Sequence, residues 1–163
     1  MKAVLDTTPL DNSTEAAYRA LIQTIGALKR AMEPYFAMHG ISLSQWAVLR
    51  ILNNAQEQGE GGMRLTDLSD RLLVKPPSVT GAIDRLQRMG LVRRQMSDAD
   101  HRSKRVSLTP QGRQLVERLL DGHAKRVQGA LAALNVDEQR ELHRLLTQLG
   151  DHLEVLSERG VES

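Results

Sequence analysis

The 163 residues give room for one compact domain with some extra helical mass, and two full domains would be cramped. Cysteine is absent, which excludes disulfides, thiolate chemistry, cysteine-based redox sensing and thiolate-ligated zinc. The net charge is +2, but residues 62–113 hold 11 Lys and Arg against 5 Asp and Glu, a balance of +6, while the remainder holds 11 against 15, a balance of −4. A basic centre flanked by acidic arms fits one surface facing phosphates.

Residues 1–12 carry acids and Pro9 where a signal peptide would have an apolar stretch. No apolar run approaches the roughly 20 residues needed to cross a bilayer, so the expected location is cytoplasmic, with no membrane partner. Over residues 13–37, Ala17, Ala20, Leu21, Leu28, Ala31 and Met32 recur at helical spacing behind the capping candidates Asn12 and Ser13. This predicts a long first helix, with Pro34 near its end and His39-Gly40 as its stop. Ser42 followed by Gln45 is a capping-box pattern, and Trp46, Val48, Leu49 and Leu52 give a second helix ending near Asn53-Asn54. Residues 56–62 have neither helical nor strand period and read as an exposed loop.

In Leu65-Thr66-Asp67-Leu68, Thr66 is the expected cap of a third helix, with Leu68 and Leu72 inward. A short turn through Val74-Lys75 leads to a fourth. Pro76 and Pro77 suit its first turn, Val79, Ala82, Ile83 and Leu86 form its buried stripe, and Gly90 closes it. Residues 91–96 and 105–108 alternate partially on either side of a polar stretch, a hairpin pattern. Pro110 opens a fifth helix at its first position, running to about residue 135, and Asp137 is the expected cap of the last. There Leu142, Leu145, Leu146, Leu149, Leu153 and Leu156 repeat at steps of three and four.

Helix, tight turn, helix and basic hairpin is the order of parts that sets one helix in a major groove and a wing beside it. The expected fold is therefore mainly α with a small β-hairpin wing. Its expected parts are an N-terminal dimerisation helix (1–40), a winged helix-turn-helix DNA-binding domain (41–112) and C-terminal dimerisation helices (113–163). The fourth helix leaves Ser78, Thr80, Gly81, Asp84, Arg85 and Arg88 outward, and the small residues at its start permit close approach to base edges. Any amphipathic helix has a polar face; the basic hairpin that follows is what favours the DNA reading. At its tip, Asp100-His101-Arg102-Ser103-Lys104, Arg102 is placed to enter a minor groove, whose narrow A/T-rich stretches attract guanidinium. The four aromatics, Tyr18, Tyr35, Phe36 and Trp46, are too few for single-strand stacking platforms, so the expected partner is double-stranded DNA.

Several fragments share one order and spacing: Gln45-Trp46 with Val48-Leu49, Leu65-Thr66-x-Leu68, Val79-Thr80 with Asp84-Arg85-Leu86, Gly90-Leu91-Val92, and Asp100-x-Arg102 leading to Leu108-Thr109-x-x-Gly112. Together they resemble the multiple antibiotic resistance regulator (MarR) family over about residues 16–156, most strongly over 65–112. The resemblance implies a homodimer with intertwined terminal helices, winged heads on palindromic duplex DNA, repression in most members, and release by a small ligand or metal. By position it puts Pro77, Ser78 and Thr80 at the start of the recognition helix and Arg102 at the wing tip. Asp100 would support Arg102 through a charge-assisted hydrogen bond rather than touch DNA. Arg85 is left between a phosphate contact and an internal pair with an acid.

Two positions depart from the family pattern. Lys75 stands where a capping Ser or Thr is frequent, and Gly81 where an arginine often reaches bases. Glycine inside a helix costs roughly 1 kcal/mol relative to alanine, and close approach to DNA or to another backbone would account for it.

Other expectations concern partners. The first, fifth and last helices carry more apolar surface than one small head covers, which reads as a dimer interface or, alternatively, an ordinary monomeric core. Tyr35, Met38, His39 and Trp46 are candidates for an effector pocket or plain packing at the junction of the first two helices. The five histidines, His39, His101, His123, His143 and His152, form no tight set, so no metal site or cofactor is expected. No phosphate-cradling loop, nucleophile elbow or metal motif occurs, so no enzyme is expected. A helical adaptor without DNA contact is the alternative, and it leaves the basic hairpin unexplained.

Overall fold

The computed structural model describes residues 12–72, 74, 76–96 and 104–160, the last three by backbone alone. The described elements follow in the order α1 (Asn12–Ala37), α2 (Leu43–Glu57), β1 (Met63–Arg64), α3 (Leu65–Leu72), α4 (Pro76–Arg88), β2 (Val92–Met96), β3 (Lys104–Leu108), α5 (Pro110–Leu131) and α6 (Val136–Gly160). The described residues fall into two compact units that divide after Leu120. No described helix is long and apolar enough to cross a membrane.

In the first unit only the end of α1 enters the core, through Met32, Tyr35 and Phe36. Phe36 stacks on Trp46 at 5.1 Å, and the Tyr35 hydroxyl donates to the Leu119 carbonyl at 3.0 Å, so the one polar atom of that ring is satisfied where it is buried. The rest of α1 leaves Tyr18, Ile22, Ile25 and Leu28 exposed at helical spacing. The capping box of α2 is present: Ser42 Oγ accepts from the Gln45 amide at 3.2 Å, and the Gln45 side chain accepts from the Ser42 amide at 2.8 Å. That commitment explains a buried glutamine.

The stretch expected as a loop is shortened at both ends. α2 continues through Glu57, past Asn53-Asn54, and Gly62 is buried beside β3, where its carbonyl accepts from Arg105 Nη1 at 3.0 Å. Residues 63–64 form an unexpected strand, giving an antiparallel sheet of order β1-β3-β2 with Met63 opposite Val106 and Val92 opposite Leu108. Two residues are too few to show alternation in sequence. Because β1 runs directly into α3 at Leu65, Thr66 lies inside the first helical turn instead of capping it.

α5 ends at Leu131, short of residue 135, and the cap of α6 is Asn135 rather than Asp137. Asn135 Oδ1 accepts from the amides of Asp137 and Glu138 at 3.0 Å each, and Glu138 accepts in return from the Asn135 amide at 2.8 Å. Asp137 sits in the first turn, where a negative charge favours the helix dipole. In the second unit, Leu145, Leu146, Leu149, Leu153 and Leu156 of α6 are exposed.

Candidate nucleic-acid interface

Val74, ahead of α4, is held from α3. Ser69 is buried, its hydroxyl donates to the Val74 carbonyl, and the Val74 amide donates to the Ser69 carbonyl at 3.2 Å. Sequence reading passed over this serine, because a serine within a helix carries no period. α4 then buries all four of its expected stripe residues, Val79, Ala82, Ile83 and Leu86. This rotation turns Pro77, Ser78, Arg85 and Arg88 to solvent, with Thr80 and Gly81 half-buried between them. The Thr80 hydroxyl donates to the Pro76 carbonyl at 3.1 Å and keeps its lone pairs for an incoming donor.

A Cβ built at Gly81 meets only the Arg85 guanidinium, at 3.9 Å, which is ordinary contact. Nothing within the described chain demands glycine there, and no second backbone approaches it. Arg85 has no acidic partner among the described residues; the neighbouring Asp84 carboxylate lies 2.7 Å from Arg94 of β2 instead. Arg88 Nε donates to the Asp84 carbonyl at 3.3 Å.

The hairpin follows through a tight junction. α4 closes with Gly90 at φ 73°, where the Leu91 amide bonds the Leu86 carbonyl and the Gly90 amide the Gln87 carbonyl, a left-handed helix stop that buries Leu91 against the core. Thr109 caps α5 by accepting from the Gly112 amide at 3.0 Å, and its hydroxyl donates to the Gly90 carbonyl at 2.6 Å. A Cβ at Gly112 would collide with the Leu91 carbonyl oxygen, so only glycine lets α5 and the start of β2 come this close. Lys104 is exposed at the far end of β3. The parts expected of Lys75, Asp100, Arg102 and Ser103 lie outside the described residues.

A buried two-helix motif, an outward polar-to-basic helix face and a three-stranded winged sheet together match known regulators. The sequence model of the MarR family matches residues 39–103. The HTH-type transcriptional regulator YkoM of Bacillus subtilis is 33% identical over 114 residues, covering 70% of this chain and 71% of YkoM. The HTH-type transcriptional repressor YetL of the same organism is 28% identical over 148 residues, covering 91% and 85%. A crystal structure of a mutant MarR from E. coli complexed with operator DNA superposes with a TM-score of 0.76 at 24% identity, covering 87% of this chain and 99% of that one.

The chain belongs to the MarR family. It is a DNA-binding transcriptional regulator, and nothing supports the helical adaptor as an alternative. In this MarR-family chain the structure adds three residues that sequence reading did not single out for the head, Ser69, Gln87 and Arg94. It brings Tyr35 and His39 edge to face at 5.1 Å, with Trp46 reached through Phe36. Tyr35 and Trp46 are core residues, whereas Met38 is 72% exposed. A separate open cleft of about 380 Å³ lies beside α4, its lining including Val48, Leu72, Ser78, Val79, Ala82 and Arg85.

Proposed function

We propose that this MarR-family regulator represses transcription as a homodimer in the cytoplasm, each protomer laying α4 in the major groove of one half of a palindromic duplex operator. Pro77, Ser78, Thr80 and Gly81 approach base edges, Arg85 and Arg88 take phosphates, and Arg102, supported by Asp100 and flanked by Ser103 and Lys104, enters the minor groove. The observation that carries this reading is the outward face of α4, small at its start and basic at its end, with Arg85 unclaimed by any described acid. Repression is supported by similarity to a repressor over nearly the whole chain. The exposed apolar rows of α1 and α6 support a second copy as the dimer partner. A small effector with an anionic group in the cleft beside α4 would draw Arg85 away from its phosphate and so bear directly on the reading helix.

Selection of preferred sites from randomised duplexes tests the reading. It predicts a two-fold symmetric site whose half-site sequence changes when Ser78 or Thr80 is substituted. The same preferred site from wild type and from both variants contradicts the assignment of α4.

A further inference from the structure

Along the inward face of β2 three residues alternate with distinct fates. Val92 is buried, Arg94 is partly covered, and Met96 is exposed. On β3 the hairpin is held by buried Val106 and by β1, whereas on β2 the core takes only Val92, and Arg94, opposite Val106, ties this strand to α4. Its guanidinium bridges one turn of α4: Nη2 lies 2.7 Å from Asp84 Oδ1, and Nη1 donates to Gln87 Oε1 at 3.1 Å. Asp84 and Gln87, three residues apart, share one helix face. A planar fork held at two points resists rotation as well as sliding, which a single ammonium does not.

We propose that Arg94 is a positioning residue, a latch that fixes the wing hairpin at one angle to the recognition helix so that both meet DNA as a single body. The inference rests on the reading of α4 and the hairpin as the DNA-contacting parts. Two of the five N–H groups of Arg94 are held by α4, so a direct phosphate contact through the others is the rival that the test separates. As a stabiliser of the fold the bridge is minor, because both side chains are partly solvated, at 25% and 48% exposure. Its effect falls on the geometry of binding.

Two variants separate the latch from its rivals. Asp84→Asn removes a negative charge beside the DNA surface, so electrostatics alone predicts tighter binding. The latch predicts weaker binding, about tenfold, since the Arg94 ion pair is replaced by a weaker bond to a neutral amide oxygen. Arg94→Lys keeps the charge, so a direct phosphate contact predicts nearly unchanged affinity, whereas the latch predicts a loss similar to that of Asp84→Asn. Operator affinity, hydroxyl-radical footprints and melting temperature are measured for both, alongside wild type and Arg102→Ala. The expected result is weakened binding in both variants, unchanged melting, and protection lost where the wing contacts DNA while the major-groove contacts persist. Tighter or equal binding by Asp84→Asn, or full affinity in Arg94→Lys, overturns the latch while leaving the α4 and wing assignment standing if Arg102→Ala still weakens binding. Absence of specific binding by wild type overturns both.

Discussion

Thr109 ties three segments together at one point: it caps α5 through the Gly112 amide, its hydroxyl bonds the Gly90 carbonyl, and its own amide bonds the Leu91 carbonyl at 3.1 Å. Gly112 completes this junction by having no Cβ to strike Leu91. Gly112→Ala is therefore expected to destabilise by about 1–3 kcal/mol through overpacking, read as a lower urea midpoint; an unchanged midpoint contradicts the close contact. Gly81 has the opposite prediction. Its Cβ position is open, so Gly81→Ala should stabilise the helix by roughly 0.5–1 kcal/mol, yet weaken operator binding if DNA occupies that space. Equal affinity for the two proteins would remove close approach as the reason for this glycine. Arg102→Ala should weaken specific binding by roughly 1–3 kcal/mol without dissociating the dimer, and an unshifted gel titration would contradict the wing assignment. Gly112 was legible as part of a motif, but its cause was not, because the carbonyl it avoids belongs to Leu91, just before β2 and distant in the chain.

Among the elements, the helices were legible because their apolar residues follow the helical period, and the stripe of α4 was read residue by residue. β1 was not, since two residues carry no period, and its presence displaced the expected start of α3. The cap of α6 was misread because Asp137 and Asn135 are both capping residue types and only the bonds distinguish them. The Arg94 bridge was hidden for a related reason, as pairing across elements depends on their packing and not on spacing in the chain. The exposed rows of α1 and α6 support the proposed dimer, in which each leucine buried contributes about 1.5–3 kcal/mol. Leu149→Lys with Leu153→Lys should sediment as monomer at micromolar concentration while wild type sediments as dimer. Monomeric wild type would contradict the dimer, and a dimeric double variant would place its interface away from α6.

At the scale of the whole molecule, charge is segregated along the chain, with a balance of +6 over residues 62–113 and −4 over the rest. Such a molecule should lose DNA affinity steeply as salt rises, by a slope of roughly 0.9 in log units per phosphate neutralised. Salt dependence alone reports a basic surface, however, and not a reading head. Footprinting of the purified protein on the DNA flanking its own gene tests the central claim most directly. The predicted result is a protected palindrome whose two halves are centred about one helical turn, roughly 34 Å, apart, with major-groove protection in each half from α4. Uniform weak protection along the duplex, or a single unpaired half-site, would contradict it.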